Sequence, residues 1–114
     1  MKIARKMKVQ DLYSDPRIDA ILHHYGRNHQ LLKLQEEAQE VAQATRDHFF
    51  ILVRYEQSDR QEQLQKTSSH LAEEMADTLI MIHQVMKLEG LKEEVEKMIE
   101  AKLQRQLMRM EKER

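Results

Sequence analysis

The chain of 114 residues contains no cysteine, which excludes both a disulfide framework and a thiolate metal site. A disulfide-free chain fits a reducing cytoplasm. Tryptophan is absent too, and Tyr13, Tyr25, Phe49, Phe50 and Tyr55 are the only aromatics, so little is on hand to stack a nucleobase. The longest apolar run, Phe49-Phe50-Ile51-Leu52-Val53, is far too short to span a bilayer. The N-terminus, Met1-Lys2-Ile3-Ala4-Arg5-Lys6, is basic but lacks the apolar stretch of a signal peptide. A formal net charge of −1 supplies no basic field for nucleic acid. These absences point to a soluble cytoplasmic protein that partners neither nucleic acid nor membrane.

With only 2 glycines and 1 proline, little interrupts the long stretches of Leu, Glu, Gln, Lys, Ala and Met. That composition predicts an all-α fold. Residues 1–14 show no firm period and read as a loose N-terminal arm; residues 15–114 read as a single domain. Asp15 is a good N-cap with Pro16 at the first helical position, and Gly26 offers a stop after a short helix. Asn28 can cap the next helix, whose apolar positions Leu31, Leu34, Ala38, Val41, Thr45 and Phe49 keep helical spacing. The polar stretch over 55–69 reads as a loop or insertion, with Thr67, Ser68 and Ser69 available to cap a third helix. That helix carries Leu71, Met75, Leu79, Ile82 and Met86 and ends at Gly90. A fourth runs from near Leu91 to the C-terminus. The expected architecture is a bundle of three long helices plus one short N-terminal helix, completed by oligomerisation because so few helices leave apolar faces uncovered.

Two acidic clusters stand out: Glu36-Glu37-Ala38-Gln39-Glu40 and Glu73-Glu74-Met75-Ala76-Asp77. A three-residue step turns about 300° around a helix, so Glu37 and Glu40 share one side, as do Glu74 and Asp77. Glu37 falls in angle between Leu34 and Val41, and Glu74 between Leu71 and Thr78. Carboxylates inside an apolar stripe need a cation or a basic partner. Magnesium suits them, as a hard ion that takes oxygen ligands and keeps sites for water and phosphate. The competing explanation is two solvated helix faces with local lysine pairing, natural in a chain with 34% charged residues.

At these residues the sequence resembles the all-α NTP pyrophosphatase superfamily, which includes MazG-like nucleotide pyrophosphohydrolases, phosphoribosyl-ATP pyrophosphohydrolase and the dimeric dUTPases. Its pattern, Glu-Glu-x-x-Glu on one helix and Glu-x-x-Asp on the next, stands here as Glu36-Glu37-Ala38-Gln39-Glu40 and Glu74-Met75-Ala76-Asp77. Tyr25-Gly26 with the segment from Gln30 to Glu37 looks like the approach to the first motif in small MazG-like proteins. The segment from Glu73 to Gln84 looks like their second motif helix. Glu100-Ala101-Lys102-Leu103-Gln104-Arg105 resembles the basic segment closing the domain. The departure is the gap between Glu40 and Glu74, longer than usual in the family. It implies either an extended second helix or a lid-like insertion.

The resemblance implies hydrolysis of a nucleoside triphosphate, ribo or deoxyribo, between the α and β phosphates, giving a monophosphate and pyrophosphate. Magnesium, with manganese as a substitute, would be held by Glu37, Glu40, Glu74 and Asp77, while Glu36 or Glu40 takes the proton of the attacking water. Lys33, Lys102 and Arg105 are candidates to contact phosphate, and Gln30 and Gln84 to contact the base or order water. A homodimer or a dimer of dimers is implied. Phe49 and Phe50 are expected in the core, and the six histidines form no metal-ligand spacing. The rival function is a non-catalytic helical interaction or regulatory protein on the same scaffold, for which the many methionines offer adaptable surfaces.

Overall fold

A computed structural model describes residues 6–54 and 59–113 of the chain. Four α-helices and one 3₁₀ turn make up the fold, with no strand among the described residues. The all-α bundle with three long helices and one short one is what the composition predicts.

Helix α1 spans Pro16–Tyr25. Asp15 caps it as expected: its carboxylate accepts the Arg17 backbone N–H at 2.9 Å and pairs with the Arg17 guanidinium at 2.6 Å. Arg17 thereby holds the Asp15 carboxyl down to about 2. Gly26, at φ 84°, both closes α1 and opens α2 (Arg27–Leu52). A side chain at that φ would be strained, which is why glycine makes the corner. Asn28, expected as the cap of α2, instead lies inside its first turn.

Helix α3 runs Arg60–Glu89 and α4 runs Lys92–Lys112. Between them Gly90 adopts the left-handed conformation at φ 64°, its N–H closing onto the Lys87 carbonyl, a common helix stop. The expected loop over 55–69 is corrected here: from Arg60 onward that stretch is helix, and residues 55–58 lie outside the described residues. The Thr67-Ser68-Ser69 cap is therefore not a helix start. Polarity misled because Gln, Glu and Lys are good helix formers even without an apolar stripe. Glu62 and Lys66 pair across one turn at 3.5 Å, and the Gln63 side chain donates to Asp59.

The long gap between the acidic clusters is thus absorbed by extending both helices. Their far ends are tied by a hydrogen bond between the His48 ring and the Thr67 hydroxyl (2.7 Å), and by Arg60 donating to the Leu52 carbonyl (2.8 Å). Of the expected N-terminal arm, residues 1–5 lie outside the described residues. Val9–Asp11 forms the 3₁₀ turn, and the Tyr13 ring sits under the Lys87 and Lys92 ammonium groups at 4.8 and 5.3 Å.

The core lies between α2 and α3, with α1 laid across one end. On α2 the buried residues are Gln30, Glu37, Ala44 and Ile51, each seven apart, with half-buried Leu34, Val41 and His48 between them. That is the a/d alternation of a coiled-coil seam. On α3, half-buried Thr67, Leu71 and Thr78 and buried Glu74, Met81 and Val85 follow the same spacing of three and four. Leu34 and Val41 belong to this seam as their spacing suggested. Ala38, Thr45 and Phe49 do not: they remain exposed, as does Phe50. A hairpin uses one side of each helix, and these residues lie on the flank that one chain leaves without a partner.

Helix α4 buries none of its residues. From Glu96 to Glu113 every side chain is exposed, including Met98, Ile99, Leu103, Leu107 and Met110. No helix among the described residues is long and apolar enough to cross a membrane.

Candidate metal centre and adjoining cavity

Two carboxylates sit in the middle of the α2–α3 seam. Glu37 is 6% exposed and Glu74 8% exposed. Asp77, one turn on from Glu74 and itself exposed, joins them: the three offer ligand oxygens within 4.8 Å of one another. Thr78 locks the level at which the helices meet, its hydroxyl lying 2.9 Å from the Glu74 carbonyl on its own helix and 3.2 Å from the Glu37 carbonyl across the seam.

Each buried glutamate has a basic side chain near one oxygen only. Lys33 approaches Glu37 Oε1 at 3.3 Å and also pairs with Glu36 at 3.5 Å. These two carboxylates raise the Lys33 ammonium pKa, Glu37 foremost. His70, one turn before Glu74, lies 3.8 Å from Glu74 Oε1. The second oxygens, Oε2 of Glu37 and Oε2 of Glu74, are buried without a hydrogen-bond partner. A buried carboxylate oxygen with no donor is costly, and a bound cation would remove that cost. The Glu74 carboxyl is pushed above its ordinary range, first by burial, then by the neighbouring Glu40, with Asp77 adding and His70 opposing. Three hard oxygen donors of like charge, two of them buried and partly unsatisfied, fit a divalent cation such as magnesium or manganese.

Glu40 is exposed and stands beside Glu74 rather than in the cluster of three. Glu36 is exposed and tied to Lys33. Lys102 and Arg105 stand exposed on α4 and do not line the cavity that opens beside the carboxylates.

That cavity, of about 610 Å³, is bounded by Glu36, Glu37 and Asp77 at one end and by Tyr25 and His29 at the other. Gln30 and Gln84, 2% and 1% exposed, form its wall. They are linked to each other: Gln30 Nε2 donates to Gln84 Oε1 at 2.5 Å, and the His29 ring meets Gln30 Oε1 at 2.6 Å. Tyr25 and His29 stack with centroids 4.7 Å apart and planes 18° apart. Sequence reasoning passed over Tyr25, His29 and His70 as site residues. The i, i+4 spacing of Tyr25 with His29 was the available signal, but Gly26 lies between them, and only the corner geometry shows that the rings meet.

Compared with known proteins, the chain matches no family model, no curated protein and no solved structure.

Proposed function

We propose that the protein is a magnesium-dependent nucleoside triphosphate pyrophosphohydrolase, cleaving an NTP or dNTP between the α and β phosphates to a monophosphate and pyrophosphate. The observation that carries this is the meeting of Glu37, Glu74 and Asp77 from two helices, with an unpartnered buried oxygen on each glutamate. The motif resemblance agrees with it, and a cavity of nucleotide size adjoins the cluster. Glu37, Glu74 and Asp77 would hold the metal, with Glu40 beside them as a further ligand or as the base. Magnesium in that position supplies charge neutralisation for phosphate oxygens and acidifies a bound water. Glu36 or Glu40, both solvent-accessible, would take the proton of the attacking water. Lys33 holds charge at the cavity mouth, where it can turn from Glu37 to a phosphate once the carboxylates have another cation.

The working unit we propose is a homodimer or a dimer of dimers. The chain exposes 9667 Å², against about 6600 Å² for a compact monomer of this mass. Its radius of gyration is 18.0 Å, where about 13 Å is ordinary for this length. Covering that surplus of about 3000 Å² on each of two copies would bury about 6000 Å² in all, at the upper end of what obligate assemblies cover. A second copy would also be the route by which Lys102 and Arg105 reach a phosphate.

The test is pyrophosphate release from a broad panel of NTPs and dNTPs, with magnesium and with manganese. Glu74→Gln and Asp77→Asn should each abolish release while leaving helicity by circular dichroism intact. Turnover retained in both variants would overturn the metal assignment. A second reading, a non-catalytic helical interaction protein, is favoured by one observation, the exposure of every α4 side chain from Glu96 onward. It predicts no change in melting midpoint at millimolar magnesium, whereas a metal that binds only the folded state must raise it.

A further inference from the structure

The end of the cavity away from the carboxylates has a chemistry of its own. Tyr25 and His29 form a stacked aromatic pair at its rim, in a chain that has very few aromatic residues. Tyr25 is 51% exposed, so the pair is not simply core packing. Ile21, Leu32 and Ile80 give the cavity apolar walls.

Beneath the stack lies a polar relay with a direction. When His29 Nδ1 carries its proton it donates to Gln30 Oε1, which leaves Gln30 Nε2 to donate to Gln84 Oε1. The relay fixes both amides, so Gln84 Nε2 is a committed donor. Among the described residues, that N–H₂ group donates to the Met81 thioether at 3.9 Å, a weak acceptor. A glutamine 1% exposed on a cavity wall, with its donor met only by sulfur, suits a ligand that brings an oxygen or ring-nitrogen acceptor.

We propose that this end of the cavity is a heterocycle site. The flat ring of the substrate stacks on the Tyr25–His29 pair, and Gln84 donates a hydrogen bond to an acceptor on the ring edge, with Gln30 and His29 as positioning residues. The site thus takes ligands that combine a phosphate chain at the carboxylate end with an aromatic ring at the other. This rests on the pyrophosphohydrolase reading for the phosphate end, but the ring end makes a separate prediction. Selectivity for a nucleotide over its bare phosphate chain is created by Tyr25 and Gln84, not by the metal cluster.

The experiment compares inorganic tripolyphosphate with an α,β-methylene nucleoside triphosphate that cannot be cleaved, both titrated into the full chain with magnesium by calorimetry. The wild type should bind the nucleotide roughly 5- to 150-fold more tightly, the range that one ring stacked on an aromatic side chain provides. In Tyr25→Ala that ratio should collapse toward one, while Tyr25→Phe, which keeps the stack, should retain it. Gln84→Leu should lower the ratio as well. Because Tyr25 is half exposed, its loss does not threaten the fold, so the Ala and Phe pair decides the matter even where Gln84→Leu is poorly folded. Equal binding of the two ligands to the wild type would overturn the heterocycle site and leave the metal–phosphate reading standing, as would an unchanged ratio in Tyr25→Ala. Failure of both ligands to bind with magnesium would overturn the phosphate end and this proposal together.

Discussion

The residues on which the proposed chemistry rests are polar ones where apolar ones would be expected. Glu37 and Glu74 occupy seam positions that Leu or Ile would fill in an ordinary helical hairpin. The Glu74 carboxyl is raised above its ordinary 4.5, so without metal the folded chain keeps a proton that the unfolded chain has released. The sign follows from linkage. Stability from this group is greatest below pH 4.5 and declines as pH rises through the elevated folded value. Thermal melts of metal-free wild type and Glu74→Gln should therefore converge in acid and diverge toward neutrality, with the Gln variant melting higher. Magnesium should reverse the order at neutral pH, since only the wild type gains from it. At a hundredfold excess over its dissociation constant the gain is about 2.7 kcal/mol, or about 10 °C for a domain of this length. A Gln variant that gained as much from magnesium would remove Glu74 from the ligand set.

At the scale of elements, two features set the position of the site. The first is the α1 cap. The Asp15 carboxyl lies at about 2 because of Arg17, so its contribution is complete above the ordinary 3.8 and is lost as pH falls through about 2. Melting midpoints of wild type and Asp15→Ala should differ by a constant amount above pH 4 and approach each other toward pH 2. The second is the close approach of α2 and α3 at Ala44, 1% exposed. Ala44→Leu forces extra volume into the seam two turns from Glu37 and should cost about 1–3 kcal/mol in urea unfolding. A neutral result there would mean that the helices are not packed at that level.

The helices themselves were largely legible in the sequence. Asp15-Pro16, Gly26 and Gly90 mark three boundaries by chemistry that acts within a few residues. The segment from Arg60 to Ser69 was not legible. Its Gln, Glu and Lys residues favour helix without an apolar stripe, and Thr67 is joined to the antiparallel α2 through His48. Carboxylate spacing pointed to the level at which Glu37, Glu74 and Asp77 meet, while the Tyr25–His29 contact was missed because it is made across a bend.

For the whole molecule, an uncovered α4 and an exposed area well above that of a compact monomer lead to a prediction in solution. Light scattering should give a mass at least twice 13.7 kDa. Replacing Ile99 and Leu103, both 52% exposed, by glutamate should shift it toward the monomer, since charge on an apolar interface is strongly disfavoured. A wild-type mass of 13.7 kDa would refute the assembly and leave Lys102 and Arg105 remote from any phosphate.

By itself the sequence determined what is local: the all-α class, the caps and stops, and the pairing of carboxylates three apart on each of two helices. Helix geometry is set by the backbone, so such spacings carry over directly into shared faces. Only the tertiary structure decided which face turned inward. It chose the line Gln30–Glu37–Ala44–Ile51 over the neighbouring apolar line through Ala38, Thr45 and Phe49, and it set Glu37 level with Glu74 across the Thr78 hydroxyl. The physical reason is that a helix's inward face and its register depend on the side chains of its partner. In this chain that partner, α3, begins twenty residues after Glu40.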